Sequence, residues 1–278
     1  MAQRIRFTTP GPVNFDVDMP LYGYKTIIKP ALIHTPILPR GYAIWDNGSS
    51  YDQRICECSF LMNETNTSNL YDCFTDNDKG RGIDIIMSLN DGQGFYPFAP
   101  DHGDDGAFTA RMLDIQASGQ KESPWKYYET KLKLLETSNP SYALPAEVDE
   151  GDDFAIGTID KLRYPPDFPL PKIAQLLKTN ISQGGVPYTV DKESEEHLTI
   201  LPMVCNQSKA AALIDHLTMD VRDSFVDIVG DDFSYLFGHN LSHADTFKCL
   251  WLNKILEITH NRFDEFQFDL SFYFDSYT

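Results

Sequence analysis

The chain repeats one pattern of apolar residues, and the second copy follows the first after about 143 residues. When Ile55 is placed on Leu198, apolar residues coincide at many further positions, although few residues are identical. The matched residues are Cys58 and Leu201, Phe60 and Met203, Leu70 and Leu213, Phe74 and Leu217, 83–86 and 226–229, Phe108 and Trp251, 111–113 and 254–256, and Ile115 and Ile258. A period this long indicates a duplicated domain, because solenoid repeats span about 20–50 residues. A chance alignment is the alternative interpretation.

The length and composition agree with two folded domains. A chain of 278 residues provides two domains of ordinary size, and an apolar fraction of 42% excludes general disorder. The sequence contains no run of about 18 apolar residues, and its first twenty residues lack the apolar core of a secretion signal. These features predict a soluble protein without a membrane anchor that is made in the cytoplasm.

Proline and acidic residues mark the domain boundaries. The segment 1–40 is rich in Pro and Gly, which predicts an extended arm or edge strands. Such an arm suits contact with a neighbouring subunit, and an ordinary meandering terminus is the alternative. The acidic segment from Glu147 to Asp153 predicts a solvated linker, so the expected domains are residues 1–145 and 146–278.

Both copies predict strands around one helix. The first helix is expected at about Ser68–Thr75 and the second at Lys209–Leu217, each after a polar break. A further helix is expected at Lys172–Leu177. The predicted strands are 54–62, 83–89, 108–117 and 126–135 in the first copy, and 198–204, 225–229, 246–258 and 265–274 in the second. Closely spaced strands and turns indicate a mainly β (α+β) fold of two tandem β-barrels or sandwiches.

The net charge of −18 restricts the possible partners. An acidic protein repels duplex DNA, so a protein that binds the phosphate backbone is not expected. One interpretation is that the acidity keeps the protein soluble. The other is a conduit through which nucleic acid slides without being retained.

The sequence predicts no catalytic, cofactor-binding or metal-binding residues. The five cysteines lack the spacing of a metal site, so reduced and mostly buried thiols are expected. The loop from Asp101 to Asp105 has the composition of a hard-cation site, although exposed loops of this kind are common without an ion. The segment Asp76–Gly80 begins like a calcium loop, but Met87 stands where the closing Glu is required. No phosphate loop or nucleophile elbow is present.

The predicted order of strand, short helix, strand pair, long loop and final strand pair resembles the tail-tube fold of long-tailed phages. The residues that carry this resemblance are 54–60, 70–74, 82–89, 95–101 and 108–135 in the first copy, and 198–204, 210–217, 225–229 and 247–274 in the second. Tube proteins, distal tail proteins and baseplate hubs share this fold. The resemblance is architectural, and its motifs have low specificity.

The resemblance implies a structural virion protein of a tailed phage, prophage or gene-transfer particle. Two fused tube domains imply a trimer, whose six domains imitate a hexameric ring around a lumen that conducts DNA. The implied partners are other copies of the chain, the tail tube, and tail-tip or baseplate proteins, with assembly in the host cytoplasm. A hexameric distal tail protein is the nearest alternative. A two-domain β protein that binds or hydrolyses carbohydrate is the alternative from a different class.

One acidic residue occupies the same place in an apolar strand of each copy. Asp84 follows Ile83, and Asp227 follows Val226. Side chains alternate between the two faces of a strand, so each aspartate is expected to point away from its apolar neighbours. We expect both to face the lumen, and the alternative is that they face solvent or a subunit contact.

Overall fold

A computed structural model describes residues 4–9, 14–18, 24–36, 42–48, 52–75, 84–89, 107–119, 127–137, 146, 148–151, 153–163, 177–181, 187–191, 198–230, 246–262 and 265–277. The loops 76–80 and 101–105, whose composition resembles that of ion-binding loops, lie outside these residues. The segments 95–101 and 172–176 lie outside them as well.

The described residues form β-strands with two short α-helices, which confirms the predicted mainly β (α+β) class. The strands of the first half are β1 (Arg4–Thr8), β2 (Asn14–Asp18), β3 (Tyr24–Lys29), β4 (Leu32–Pro36), β5 (Tyr42–Asp46), β6 (Gln53–Asn63), β7 (Ile85–Leu89), β8 (Ala107–Gly119) and β9 (Tyr127–Glu136). Those of the second half are β10 (Phe154–Ile156), β11 (Ile159–Leu162), β12 (Leu177–Ile181), β13 (Pro187–Asp191), β14 (Leu198–Asn206), β15 (Phe225–Val229), β16 (Thr246–Trp251), β17 (Leu256–Arg262) and β18 (Glu265–Tyr277). The helices are α1 (Glu64–Thr75) and α2 (Gln207–Asp215), and a π-helical turn, His216–Asp220, extends α2.

The two halves repeat one strand order. In the first half the order is β6-β9-β8-β7-β1-β2, and in the second it is β14-β18-β16-β15-β10-β11. Both sets belong to one fourteen-stranded sheet, which β3 makes continuous by pairing with β6 on one side and with β17 on the other. The pairs β4–β5 and β12–β13 form separate two-stranded sheets at corresponding places in the chain. The repeat expected from the sequence period is therefore present in the topology.

An asparagine begins the helix in each half. The Asn63 side chain accepts a hydrogen bond from the backbone N–H of Asn66 at 2.8 Å, and Asn206 accepts one from Lys209 at 2.9 Å. Such a side chain satisfies an N–H of the first turn that has no partner within the helix. Because of these caps, α1 begins at Glu64, four residues before the predicted start, and α2 begins at Gln207.

The predicted match between β8 and the strands β16 and β17 was wrong in register. Ile55 faces Leu135, which faces Arg111, and the equivalent residue Leu198 faces Tyr273, which faces Leu250. Arg111 and Leu250 are therefore equivalent, whereas the sequence comparison had paired Arg111 with Lys254. Residues 252–255 interrupt the strand in the second half, where the first half has only a bulge between Met112 and Asp114.

The buried apolar residues form one core cluster in each half. Phe60, Leu70 and Met87 belong to the first cluster, and the second surrounds Trp251. Ile28 of β3 and Leu32 of β4 pack into the second cluster, although both precede the whole of the first repeat. The Pro-rich opening therefore contributes strands to both halves of the protein.

Two local predictions require correction. The segment from Glu147 to Asp153 is not simply a solvated linker, because the Val148 N–H donates to Ser208 Oγ at 2.8 Å and Glu150 is partly buried. The backbone N–H of Asn206 donates to Glu150 as well, so this segment is bound to the start of α2. Leu177, the predicted end of a helix, instead begins β12, which pairs with β13.

Candidate functional site

The surface of the sheet opposite the helices is charged and polar where β3, β6, β8, β9, β17 and β18 meet, and we call it the polar face. On β7, β14 and β15 the same surface also exposes apolar side chains, which are Ile86, Ile200, Phe225 and Val229. Cross-strand partners place its side chains on one side: Thr259 faces Lys25, Lys25 faces Glu57, and Glu57 faces Lys133. Residues next to these in sequence, such as Cys58 and Leu132, are buried toward the helix side. The charged members of the polar face in this region are Lys25, Glu57, Asp114, Glu129, Lys131, Lys133, Glu257, Glu265 and Asp269.

Carboxylates neutralise several bases of the polar face. Lys25 Nζ lies 2.8 Å from Glu257 Oε2, and Lys133 Nζ lies 2.8 Å from Glu57 Oε1. Glu57 raises the pKa of Lys133, chiefly through this hydrogen bond. An open depression lies among these residues, where β3, β6, β8, β9 and β17 meet. Its lining combines both signs of charge and does not resemble a phosphate-binding patch.

Asp84 lies on the side of β7 away from the core, as strand alternation predicted. The next residue, Ile85, is fully buried, whereas Asp84 is partly exposed. The Asp84 carboxylate accepts a hydrogen bond from Arg111 Nε at 2.9 Å and one from the Thr137 hydroxyl at 2.6 Å. Arg111 therefore neutralises Asp84, which the sequence did not indicate.

Asp227 lies in β15, two residues from the position equivalent to Asp84, which Phe225 occupies opposite Leu250. It is exposed between Val226 and Ile228, both of which are buried. Lys248 lies opposite Asp227 in β16, and the Lys248 ammonium also lies 5.1 Å from the centre of the Phe225 ring. Each half therefore places an acidic residue opposite a basic one in this pair of strands, although the two pairs are displaced by two residues. Whether these aspartates face a lumen stays a prediction.

The strand β3 joins the halves of the sheet. Lys25, Thr26, Ile27 and Ile28 pair with Thr259, Ile258, Glu257 and Leu256 of β17. The same strand pairs with β6 on its other side. A central strand with partners on both sides has its backbone hydrogen-bonding groups satisfied, so this junction is part of the folded sheet and not a flexible linker.

Arg222 forms a second connection between the halves. Its guanidinium donates to Asp46 from Nε and Nη2 at 2.9 Å each, and to Asp52 from Nη1 at 2.6 Å and from Nη2 at 3.0 Å. Nη1 donates also to the Thr218 carbonyl at 2.6 Å. These bonds use the five donors of an arginine side chain, which is only 6% exposed. The hydrogen bond from Arg222 is the main cause that lowers the pKa of Asp46.

The described residues include all five cysteines of the chain. All five cysteines are buried, which confirms the prediction of buried thiols, and none of them forms a disulfide. Burial raises the pKa of the Cys58, Cys205 and Cys249 thiols. Within the part of the chain that the structure describes, no group of three His, Cys, Asp or Glu side chains is placed to hold a metal ion. In the same part, no helix is long and apolar enough to cross a membrane.

Sequence reasoning missed the residues that join the halves. Arg222 is separated by 176 residues from Asp46 and by 170 from Asp52, so no local pattern connects them. The β3 strand was recognised only as part of a Pro-rich opening. A signal for its role is the run of apolar and β-branched residues Thr26, Ile27 and Ile28, which is typical of a central strand.

Comparisons with known proteins assign no family to the chain. No protein-family model matches it, and no curated protein matches its sequence.

Proposed function

We propose that this chain is a structural protein of the tail of a phage, prophage or gene-transfer particle, and that it forms a ring at the distal end of the tail. The observation that carries this proposal is the repeated strand order, which β3 joins into one continuous sheet. The two halves supply two similar segments of wall, with helices on one side and a polar face on the other. We interpret this repeat as two tandem tail-tube domains.

A ring of three chains fits this arrangement best, because three chains supply six wall segments. Each junction within a chain, at β3, then has a counterpart between chains. Closed rings form when one heterologous contact is repeated through a rotation that closes. Such a trimer would present pseudo-six-fold symmetry to a six-fold tail tube and three-fold symmetry to a tail tip. Six copies per ring would instead indicate a hexameric distal tail protein.

The polar face suits the inner wall of a channel for DNA. Salt bridges pair Lys25, Lys133 and Arg111 with carboxylates, so these bases are less available to phosphate groups. Multiple free bases would bind the DNA backbone strongly, whereas a neutral or acidic wall lets it pass. Asp84 and Asp227 belong to the side of the sheet away from the core and would face this lumen. No catalytic residue or cofactor is part of the proposal.

Negative-stain electron microscopy tests the proposal. Images of particles labelled with an antibody against the chain should place the label at one end of the tail, and particles that lack the chain should have incomplete tail ends. A chain that occurs only outside particles would contradict the proposal. A deep cleft with two convergent carboxylates and sugar binding would support the carbohydrate-active alternative.

A further inference from the structure

The β3 junction shows which strand edges the two halves use to contact each other. One edge belongs to β6, where residues 53–58 pair with β3. The other belongs to β17, where residues 256–259 pair with the opposite side of β3. Lys25 lies at the centre, opposite Glu57 on one side and Thr259 on the other. Since the halves share one strand order, each of these edges has an equivalent in the other half.

The equivalent of β17 is the second part of β8. Counting begins at the two capping asparagines: Leu61 and Val204 each lie two residues before a cap. Across the sheet, Leu61 faces Glu129, which faces Ser118. In the second half Val204 faces Gln267, which faces Thr259. Ser118 and Thr259 are therefore equivalent, and residues 115–118 correspond to the edge of β17 that contacts β3.

The equivalent of the β6 edge lies at the start of β14. The same alignment places Ile200 at the position of Glu57 and residues 198–201 at the position of 55–58. Among the described strands, β14 pairs only with β18, and residues 115–118 of β8 pair only with β9. Both equivalent edges thus lack, within the described residues, the second partner that β6 and β17 have. Ile200 is an apolar residue at this edge and is 46% exposed.

We infer that residues 115–118 of one copy and residues 198–201 of a second copy of this chain lie in one continuous sheet across the boundary between copies. We assign the partner of these edges as a second copy of the chain, because the equivalent edges of β6 and β17 are joined through β3 within one chain. The contact is heterologous, since different edges meet, and it repeats the internal junction around a ring. Unpaired strand edges recruit other strands. Each copy in a ring would therefore contact one neighbour through residues 115–118 and the other through residues 198–201. This inference rests on the proposed ring and specifies its interface.

Hydrogen exchange of the full-length chain tests the inference, with the chain measured as a monomer and in assembled tails. Peptides that cover residues 113–119 and 198–204 should exchange at least tenfold more slowly in the assembly. Peptides from β3 and β17 serve as the internal control and should be protected in both states, because their junction is present in the monomer. Rings without added protection at the two edges would overturn the inference and leave the proposed function standing. Absence of rings from purified tails would overturn both.

Proline substitution provides the second test. At two neighbouring positions of an antiparallel strand, one N–H points to each side, so only one of Gln116→Pro and Ala117→Pro removes a bond to β9. The variant that keeps its bonds to β9 loses only the N–H that points away from β9. Its urea unfolding midpoint should be close to that of the parent, but it should remain monomeric and fail to enter tails. Cys56→Pro and Glu57→Pro are the controls, and both should unfold earlier because β6 is paired on both sides at these positions, with β3 and with β9. Normal assembly of the well-folded variant would contradict the inference.

Discussion

Replacement of Arg222 by methionine should destabilise the protein more than the loss of an ordinary salt bridge. The substitution keeps a long apolar side chain but removes five hydrogen bonds from a site where the arginine is 6% exposed. It also leaves two partly buried carboxylates, Asp46 and Asp52, facing each other without a cation. Removing one partner of a buried ion pair costs about 3–5 kcal/mol. The Asp46 side chain is 24% exposed, and solvent screens part of its charge. We therefore expect Arg222→Met to lower the free energy of unfolding by about 2–4 kcal/mol.

Arg6 offers a matched control with similar geometry at the surface. Its guanidinium contacts Asp16 through two hydrogen bonds of 2.8 and 3.1 Å, but its side chain is 48% exposed. Solvent screens an exposed ion pair, so Arg6→Met should change the free energy of unfolding far less than Arg222→Met. Urea unfolding followed by tryptophan fluorescence gives both free energies. Equal losses for the two variants would refute the claim that burial makes the Arg222 contact strong.

The pH dependence of this pair provides a further check. Arg222 lowers the pKa of Asp46 in the folded protein, so the contact stabilises the fold above the unfolded pKa of about 3.9. That stabilisation is lost as the pH falls through the lower folded pKa. The stability difference between the parent and Arg222→Met should therefore be largest near neutral pH and should shrink below about pH 4. A triple variant with Asp46→Asn and Asp52→Asn added should recover part of the loss at pH 7, because it removes the facing charges.

Three other predictions concern local structure. Asn63→Ala and Asn206→Ala should each cost about 1 kcal/mol in urea unfolding, and Asn206→Ala should cost more because its side chain also donates to the Val148 carbonyl. Gly157 has a φ of +58°, and a Cβ at this position would lie 2.1 Å from His216 Nε2. Gly157→Ala should therefore lower the free energy of unfolding by more than the roughly 1–2 kcal/mol of backbone strain. Adding His216→Ala should remove the steric clash but not the backbone strain. All five buried thiols should resist a thiol reagent at pH 8 until the protein unfolds; rapid labelling of the native protein would contradict their burial.

The sequence predicted those features of the fold that depend on local patterns. Alternation identified β6, β14 and β15, and it placed Asp84 and Asp227 away from the core. The matching polar breaks located both helices, although the start of α1 depended on the Asn63 cap rather than on the apolar residues that follow. These features have causes within a few residues, so one sequence is sufficient to find them.

The connections between the halves were not predictable in the same way. The β3 strand pairs with β17 more than two hundred residues later, and Arg222 contacts carboxylates that lie 176 and 170 residues earlier in the chain. The register of β8 against its counterpart was missed because the spacing between equivalent residues is not constant: it is 143 at Ile55 and Leu198 and 139 at Arg111 and Leu250. Such contacts depend on how the two halves meet, and a sequence period does not contain this information.

The most direct test of the account is a cryo-electron microscopy reconstruction of the assembled tail end. We predict a ring of three chains in which the repeated halves form six wall segments, with the helices outside and the polar face, including Asp84 and Asp227, toward the channel. A ring whose inner surface is formed by the helix side of the sheet, or whose channel is lined by unpaired bases, would contradict the account.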